Sequence, residues 1–170
     1  MVEIILRAAT ARDVAPVREL HARSFAQLAR GHHSEIEIAA HVGLIRSPPY
    51  ADELAGANLA VAIDTMGGRI VATAGWQAMT DRAATARIRK VFVDPGLARR
   101  GIGSLMVRDA ETRARQAGCE DFYVRANINA VPLYRRLGYR DIEAGVMKVG
   151  TAVSLPVVYM EKTRAMAAER

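Results

Sequence analysis

The hydrophobic residues of this chain change period at one point, and that change restricts the fold more than any other feature. Upstream of it, NLAVAID (58–64), RIVATAGWQA (69–78) and TARIRKVFVD (85–94) read as three consecutive strands, the first two joined by a TMGG turn into a hairpin. Downstream, Ile102, Leu105, Met106, Ala110, Ala114 and Ala117 recur at helical spacing as far as Gly118. DFYVRA (121–126) is again a strand. A strand, helix, strand passage set behind a hairpin calls for a sheet with helices packed on it, in a mixed α/β or α+β arrangement, and argues against a helical bundle.

The flanks extend the same pattern. IILRAAT (4–10) reads as a first strand, Thr10 and Asp13 as a helix start, and Val14 to Leu28 as a helix ended by Gly31. Ser34 can cap a second helix, EIEIAAHVGLIR, which must stop before Pro48 and Pro49. Beyond residue 126, AVPLYRRLG reads as a short helix, and YRDIEAGVMKV and SLPVVYMEK as strands. The tail TRAMAAER is expected to fray.

Composition narrows the class. At 170 residues, 51% hydrophobic and 25% charged, the chain fits one globular domain. It holds no apolar run near the roughly 18 residues a membrane span needs, and MVEIILRAAT has too short an apolar core for a signal peptide. The single Cys119 excludes a disulfide framework and suits a reducing cytoplasm. His32 and His33 are adjacent without a matching ligand cluster, so no metal site is expected. The net charge is +6, and between Arg87 and Arg140 twelve basic residues face five acidic ones. That stretch carries the whole excess, which suits an anionic partner on one side of the fold or a solvated arginine-rich surface.

Within the basic stretch lies VFVDPGLARRGIGSLM (91–106). It places Arg99, Arg100, Gly101, Ile102, Gly103 and Ser104 at the start of a helix. Amides there have no intrahelical acceptor, the helix dipole is positive, and glycine lets the main chain approach a ligand. Those are the requirements of a pyrophosphate site, and a structural turn alone would use the same glycines. A phosphate loop of the G-x-x-x-x-G-K-[ST] type is absent, and a dinucleotide fingerprint would need glycine where Met106 stands.

FVDPGLARRGIGSLM resembles the pyrophosphate motif of the GNAT-type N-acetyltransferase superfamily, [QR]-x-x-G-x-[GA] after a strand. RANINAVPLYRRLGYR resembles its second motif, with Asn127, Ala130, Tyr134, Gly138 and Tyr139 at the matching positions. The likeness extends from LRAATARDVAPVREL to LPVVYMEK, nearly the whole chain. One position departs: Ala98 stands where the family has Gln or Arg, so Arg99 and Arg100 would supply the charge.

The resemblance implies a mixed, mostly antiparallel central sheet flanked by helices, with an acetyltransferase domain over 1–163 and a tail over 164–170. It implies acetyl-CoA as cosubstrate, its pyrophosphate over residues 99–104 and its pantetheine arm along the main chain of Val91, Phe92 and Val93. Tyr134 matches the tyrosine that donates a proton to the CoA sulfur. Asn127 stands either beside the cofactor arm or as a plain strand-end turn residue. The strand before the first motif offers Arg87, Arg89 and Lys90 but no carboxylate, so the general base is open among His32, His33, Glu35 and Glu53, or ordered water.

The expected reaction is direct acetyl transfer to a primary amine, preferably of a small molecule. A protein N-terminus or lysine is the alternative acceptor, and an acyl-CoA-binding module without turnover the alternative class. A homodimer is left open. A nucleic-acid partner is not expected, since the chain is only 5% aromatic and shows no recognition motif.

Overall fold

The computed structural model describes residues 3–168. Its centre is a seven-stranded sheet in the order β1-β2-β3-β4-β5-β7-β6. The strands are β1 (Ile4–Ala8), β2 (Ala60–Asp64), β3 (Ile70–Ala78), β4 (Thr85–Val93), β5 (Asp121–Asn127), β6 (Arg140–Val149) and β7 (Val153–Lys162). All neighbours are antiparallel except β4 and β5. That one parallel pair follows from the helical stretch between them, because a parallel partner can be reached only through a crossover. The last hairpin places β7 beside β5 and leaves β6 on the edge.

Helices cover both faces. α4 (Ile102–Gln116) and α5 (Val131–Arg136) pack on one face, in a core with Val71, Ile88, Phe122 and Met160. α1 (Val14–Leu28), α2 (Glu35–Arg46) and α3 (Pro48–Ala55) cover the other, around Phe25, Ile45, Tyr50, Val61 and Leu155. Trp76 is half-buried against the first core.

Local chemistry explains most element ends. The Asp13 carboxylate accepts hydrogen bonds from the Thr10 amide at 2.7 Å and its hydroxyl at 3.0 Å. The Arg7 guanidinium binds both of its oxygens at 2.7 and 2.8 Å, and holds the carboxyl far below the usual range. Ser34 and Glu37 form the reciprocal box that opens α2.

Three expectations are corrected. Pro48 and Pro49 do end α2, but they also begin α3, since the first helical turn needs no amide from them. On α4, Leu105 is 42% exposed, and Val107 and Glu111 lie on the buried face in its place. Glu111 is tolerated there because Tyr139 Oη donates to it at 2.9 Å and Lys162 Nζ at 2.8 and 2.9 Å. The tail forms a short helix, α6 (Arg164–Ala168), where fraying was expected. It is held by the Arg164 amide on Asp121 Oδ1 at 2.8 Å and by a buried Met166. Residues 169 and 170 lie outside the described residues.

Candidate active site

The sheet opens between its two parallel strands. β4 and β5 pair only over Thr85–Arg87 and Asp121–Tyr123, yet β4 continues to Val93 and β5 to Asn127. The cause is a bulge in β4. Thr73 faces Phe92 and Gly75 faces Arg89, so Lys90 and Val91 together oppose the single residue Ala74. Lys90 takes a left-handed conformation, φ 56°. For a residue other than glycine this costs roughly 1–2 kcal/mol.

A buried chain of hydrogen bonds holds the bulge in place. Thr73 Oγ1 donates to the Lys90 carbonyl at 2.7 Å. Having spent its only proton, that oxygen accepts from His21 Nε2 at 2.7 Å. His21 Nδ1 is therefore bare and accepts from the Tyr50 hydroxyl at 2.8 Å. The imidazole is fully buried and stacks on Phe92 at 4.0 Å between ring centres. Burial, then the nearby Lys90 and His41, hold its pKa well below the usual value, so the ring is neutral.

A cleft of about 350 Å³ occupies the opening. It collects several of the predicted positions: Val91, Phe92, Asn127 and Tyr134 all line it. Asn127 is the last residue of β5, paired with Val157, and precedes a 3₁₀ turn over Ile128–Ala130. Tyr134 is buried, with its ring edge-on to Tyr139 at 5.3 Å. Its hydroxyl makes no hydrogen bond to any described residue, and burial pushes its phenol well up, so it keeps its proton.

The predicted anion cradle adjoins the cleft. The space beside the Gly103 Cα is bounded by Val93 Cγ2 and Leu133 Cδ2, 3.6 and 3.5 Å from where a Cβ would stand. The start of α4 is thus wedged between the end of β4 and α5. Gly101 caps the helix with φ 83°, and the first backbone bond runs from Leu105 to its carbonyl at 3.0 Å. The amides of Ile102, Gly103 and Ser104 are left without an acceptor in the described chain. Arg99 and Arg100 are exposed and form no ion pair with described residues, while the Ile102 side chain belongs to the core.

The proposed base candidates separate cleanly. His32 and Glu35 are exposed, and His33 is buried with Nδ1 3.4 Å from Glu37. None of the three lines the cleft, but Glu53 does. Its Oε2 accepts from Lys90 Nζ at 2.8 Å and Arg89 Nη2 at 3.0 Å. Burial pushes the Glu53 carboxyl up, but these cations bring it below its usual value. Burial pushes Lys90 down to about 8 and His41, also in the cleft, to about 4.

Sequence reasoning missed Lys90, Tyr50 and His21 as a connected group. One signal was available: in RIRKVFV two consecutive cations break the alternation of a strand, which marks a bulge. Cys119 is buried with its thiol pushed up, and borders a separate cavity beside Arg115, Lys162 and Met166. Among the described residues no helix is long and apolar enough to cross a membrane.

The acetyltransferase (GNAT) family model matches residues 17–139. No curated protein matches the sequence. A GCN5-related N-acetyltransferase from Rhodopseudomonas palustris superposes with a TM-score of 0.85 at 21% identity, over 96% of this chain and 98% of that one. The PaiA N-acetyltransferase of Thermoplasma acidophilum, solved with coenzyme A, gives 0.75 at 16% identity, over 95% and 99%. A phosphinothricin acetyltransferase of Sinorhizobium meliloti, solved with acetyl-CoA, gives 0.64 at 20% identity, over 94% and 88%. At these identities the structures speak for the fold, while the family model covers well over half of the chain: the protein belongs to the GNAT family and is an acetyltransferase.

Proposed function

We propose that this chain transfers an acetyl group from acetyl-CoA directly to a primary amine of a small molecule. One observation carries the reading. The amides of residues 102–104, which have no acceptor among the described residues, lie beside Val93, next to the Val91 and Phe92 that line the cleft. The same cleft is lined by Tyr134, whose hydroxyl has no described partner. The amides of Ile102, Gly103 and Ser104, with Arg99 and Arg100, fit a pyrophosphate. The edge of β4 that β5 abandons offers Val91, Phe92 and Val93 as main-chain partners for a pantetheine arm. Asn127 closes the other side of the opening.

Acetyl-CoA, when bound, supplies the acyl group: a C–N bond forms, the thioester C–S bond breaks, the amine gives up a proton and the sulfur gains one. Tyr134 is the proton donor to the sulfur, since burial keeps the phenol protonated at every physiological pH. Glu53 is engaged by two cations and is a weak base, so the amine's proton leaves through solvent. The small volume of the cleft, about 350 Å³, supports a small acceptor.

Thermal unfolding with and without acetyl-CoA tests the reading. At a hundredfold excess over Kd, stabilisation of about 2.7 kcal/mol is expected, reduced for CoA that lacks its 3′-phosphate. Thiol release with amine acceptors must follow. Stabilisation without turnover on any amine would make the chain a binding module, and no stabilisation at millimolar acetyl-CoA would end the proposal.

A further inference from the structure

We infer that the acceptor is an anionic amine, one that carries a carboxylate or phosphonate beside its reacting nitrogen; the inference rests on the acetyl-transfer reading of the cleft. Five cationic side chains line the cleft, from Arg87, Arg89, Lys90, Arg125 and Lys148, against one carboxylate, Glu53. Strand alternation gathers them. Ala86 and Ile88 face the core under α4, which sends Arg87 and Arg89 to the opposite face, and Arg125 is sent there likewise by Val124 and Ala126. The bulge then brings Lys90 to the same side, over the Tyr50 ring at 3.6 Å.

This positive wall is not balanced from within. Glu53 is already taken up by Lys90 and Arg89. Among the described residues, Arg87 and Arg125 form no ion pair and no side-chain hydrogen bond. The Nε atoms of Arg87 and Arg89 are buried without an acceptor among the described residues. Burial, with Arg125 and Arg89 nearby, pushes the Arg87 guanidinium down to about 10, as expected of crowded cations that lack a counter-ion. Buried guanidinium groups are stable when an anion completes them.

Pyrophosphate does not fill this role, because its cradle lies beyond Val93 at the start of α4, whereas these arginines project from the sheet face turned away from that helix. The missing anion therefore enters with the acceptor. The same field disfavours an ammonium ion and favours the free amine, the nucleophilic form, and it excludes polycationic amines.

The test compares kcat/KM by thiol release for L-glutamate and 2-aminoethylphosphonate against n-butylamine and putrescine. The anionic amines are expected to be favoured by about tenfold or more. Arg87→Gln and Arg125→Gln should raise the KM of the preferred acceptor about tenfold and leave that of acetyl-CoA unchanged, with partial recovery in Arg87→Lys. Preference for n-butylamine or putrescine, or a KM effect confined to acetyl-CoA, overturns the inference.

If none of the four amines turns over, binding decides. The thermal midpoint of acetyl-CoA-saturated protein should rise with glutarate or propylphosphonate, and the rise should vanish in Arg87→Gln. The arm that responds separates carboxylate from phosphonate. A protein stabilised by acetyl-CoA but indifferent to both anions retains the transfer reading and loses this one. A protein that acetyl-CoA does not stabilise loses the transfer reading itself.

Discussion

The two halves of the candidate site are built from different materials. The half under α4 is made of main chain: three amides at a helix start, a strand edge, and a left-handed Gly101 at φ 83°. Its parts come from one continuous stretch, residues 91–104. The half under α3 is made of side chains, drawn from Glu53 on α3, Arg87 to Lys90 on β4, Arg125 on β5 and Lys148 on β6. A main-chain site needs a local conformation, which neighbouring residues dictate, and it presents the same amides whatever the side chains. A side-chain site needs distant segments brought together, and a single exchange alters what it accepts. The first half suits an invariant ligand and the second suits a variable one.

Tyr134 stands where the halves meet, and replacing it should have the largest effect. Tyr134→Phe is expected to lower kcat by about a hundredfold or more while leaving acetyl-CoA affinity close to wild type. Steady-state kinetics beside a binding titration checks this. Equal losses in both would make Tyr134 a packing residue and dissolve the division between the halves.

The acceptor half should also be the acid-sensitive one. His21 lies buried beneath it and His41 lines it, both neutral with pKa values held below the usual 6.5 by burial. A histidine depressed in the folded state leaves the unfolded chain with more protons at low pH. Stability is therefore full above about pH 6.5 and falls as pH drops toward the folded values. For His41, held to about 4, the loss is on the order of 3 kcal/mol across that window. Urea midpoints at pH 7, 6, 5 and 4 measure it, and His41→Asn should flatten part of the slope. A flat profile in the wild type would mean that these rings are not held neutral by burial.

A smaller effect is expected at the cofactor half. Gly101→Ala places a Cβ on a left-handed residue at about 1–2 kcal/mol, with nothing nearby to clash. Acetyl-CoA affinity should fall by about tenfold and the acceptor KM should hold. The reverse pattern, with the acceptor affected and acetyl-CoA not, would show that the amides at 102–104 do not carry the cofactor.

The contrast between the halves also explains which features were legible before the fold was known. Periodicity located the seven strands and the helices α1, α2, α4 and α5 that pack on them, because each element declares its buried face within a few residues. It failed at α3, where Pro48 and Pro49 were read as a stop and are also a start. It failed again at Glu111, whose place on the buried face depends on Tyr139 and Lys162, far away in sequence.

What the amino-acid sequence determined by itself was most of the elements, the Arg-Gly helix start and the presence of Tyr134 in its motif. All of these rest on interactions among near neighbours. Tertiary structure alone decided that β4 bulges at Lys90 and parts from β5, that His21, Tyr50 and Thr73 hold that bulge, and that Glu53 meets Lys90 while Arg87 and Arg125 meet no anion among the described residues. The reason is physical: hydrogen bonds and charges act over a few ångströms of space, and the partners concerned are separated by up to 52 positions of chain.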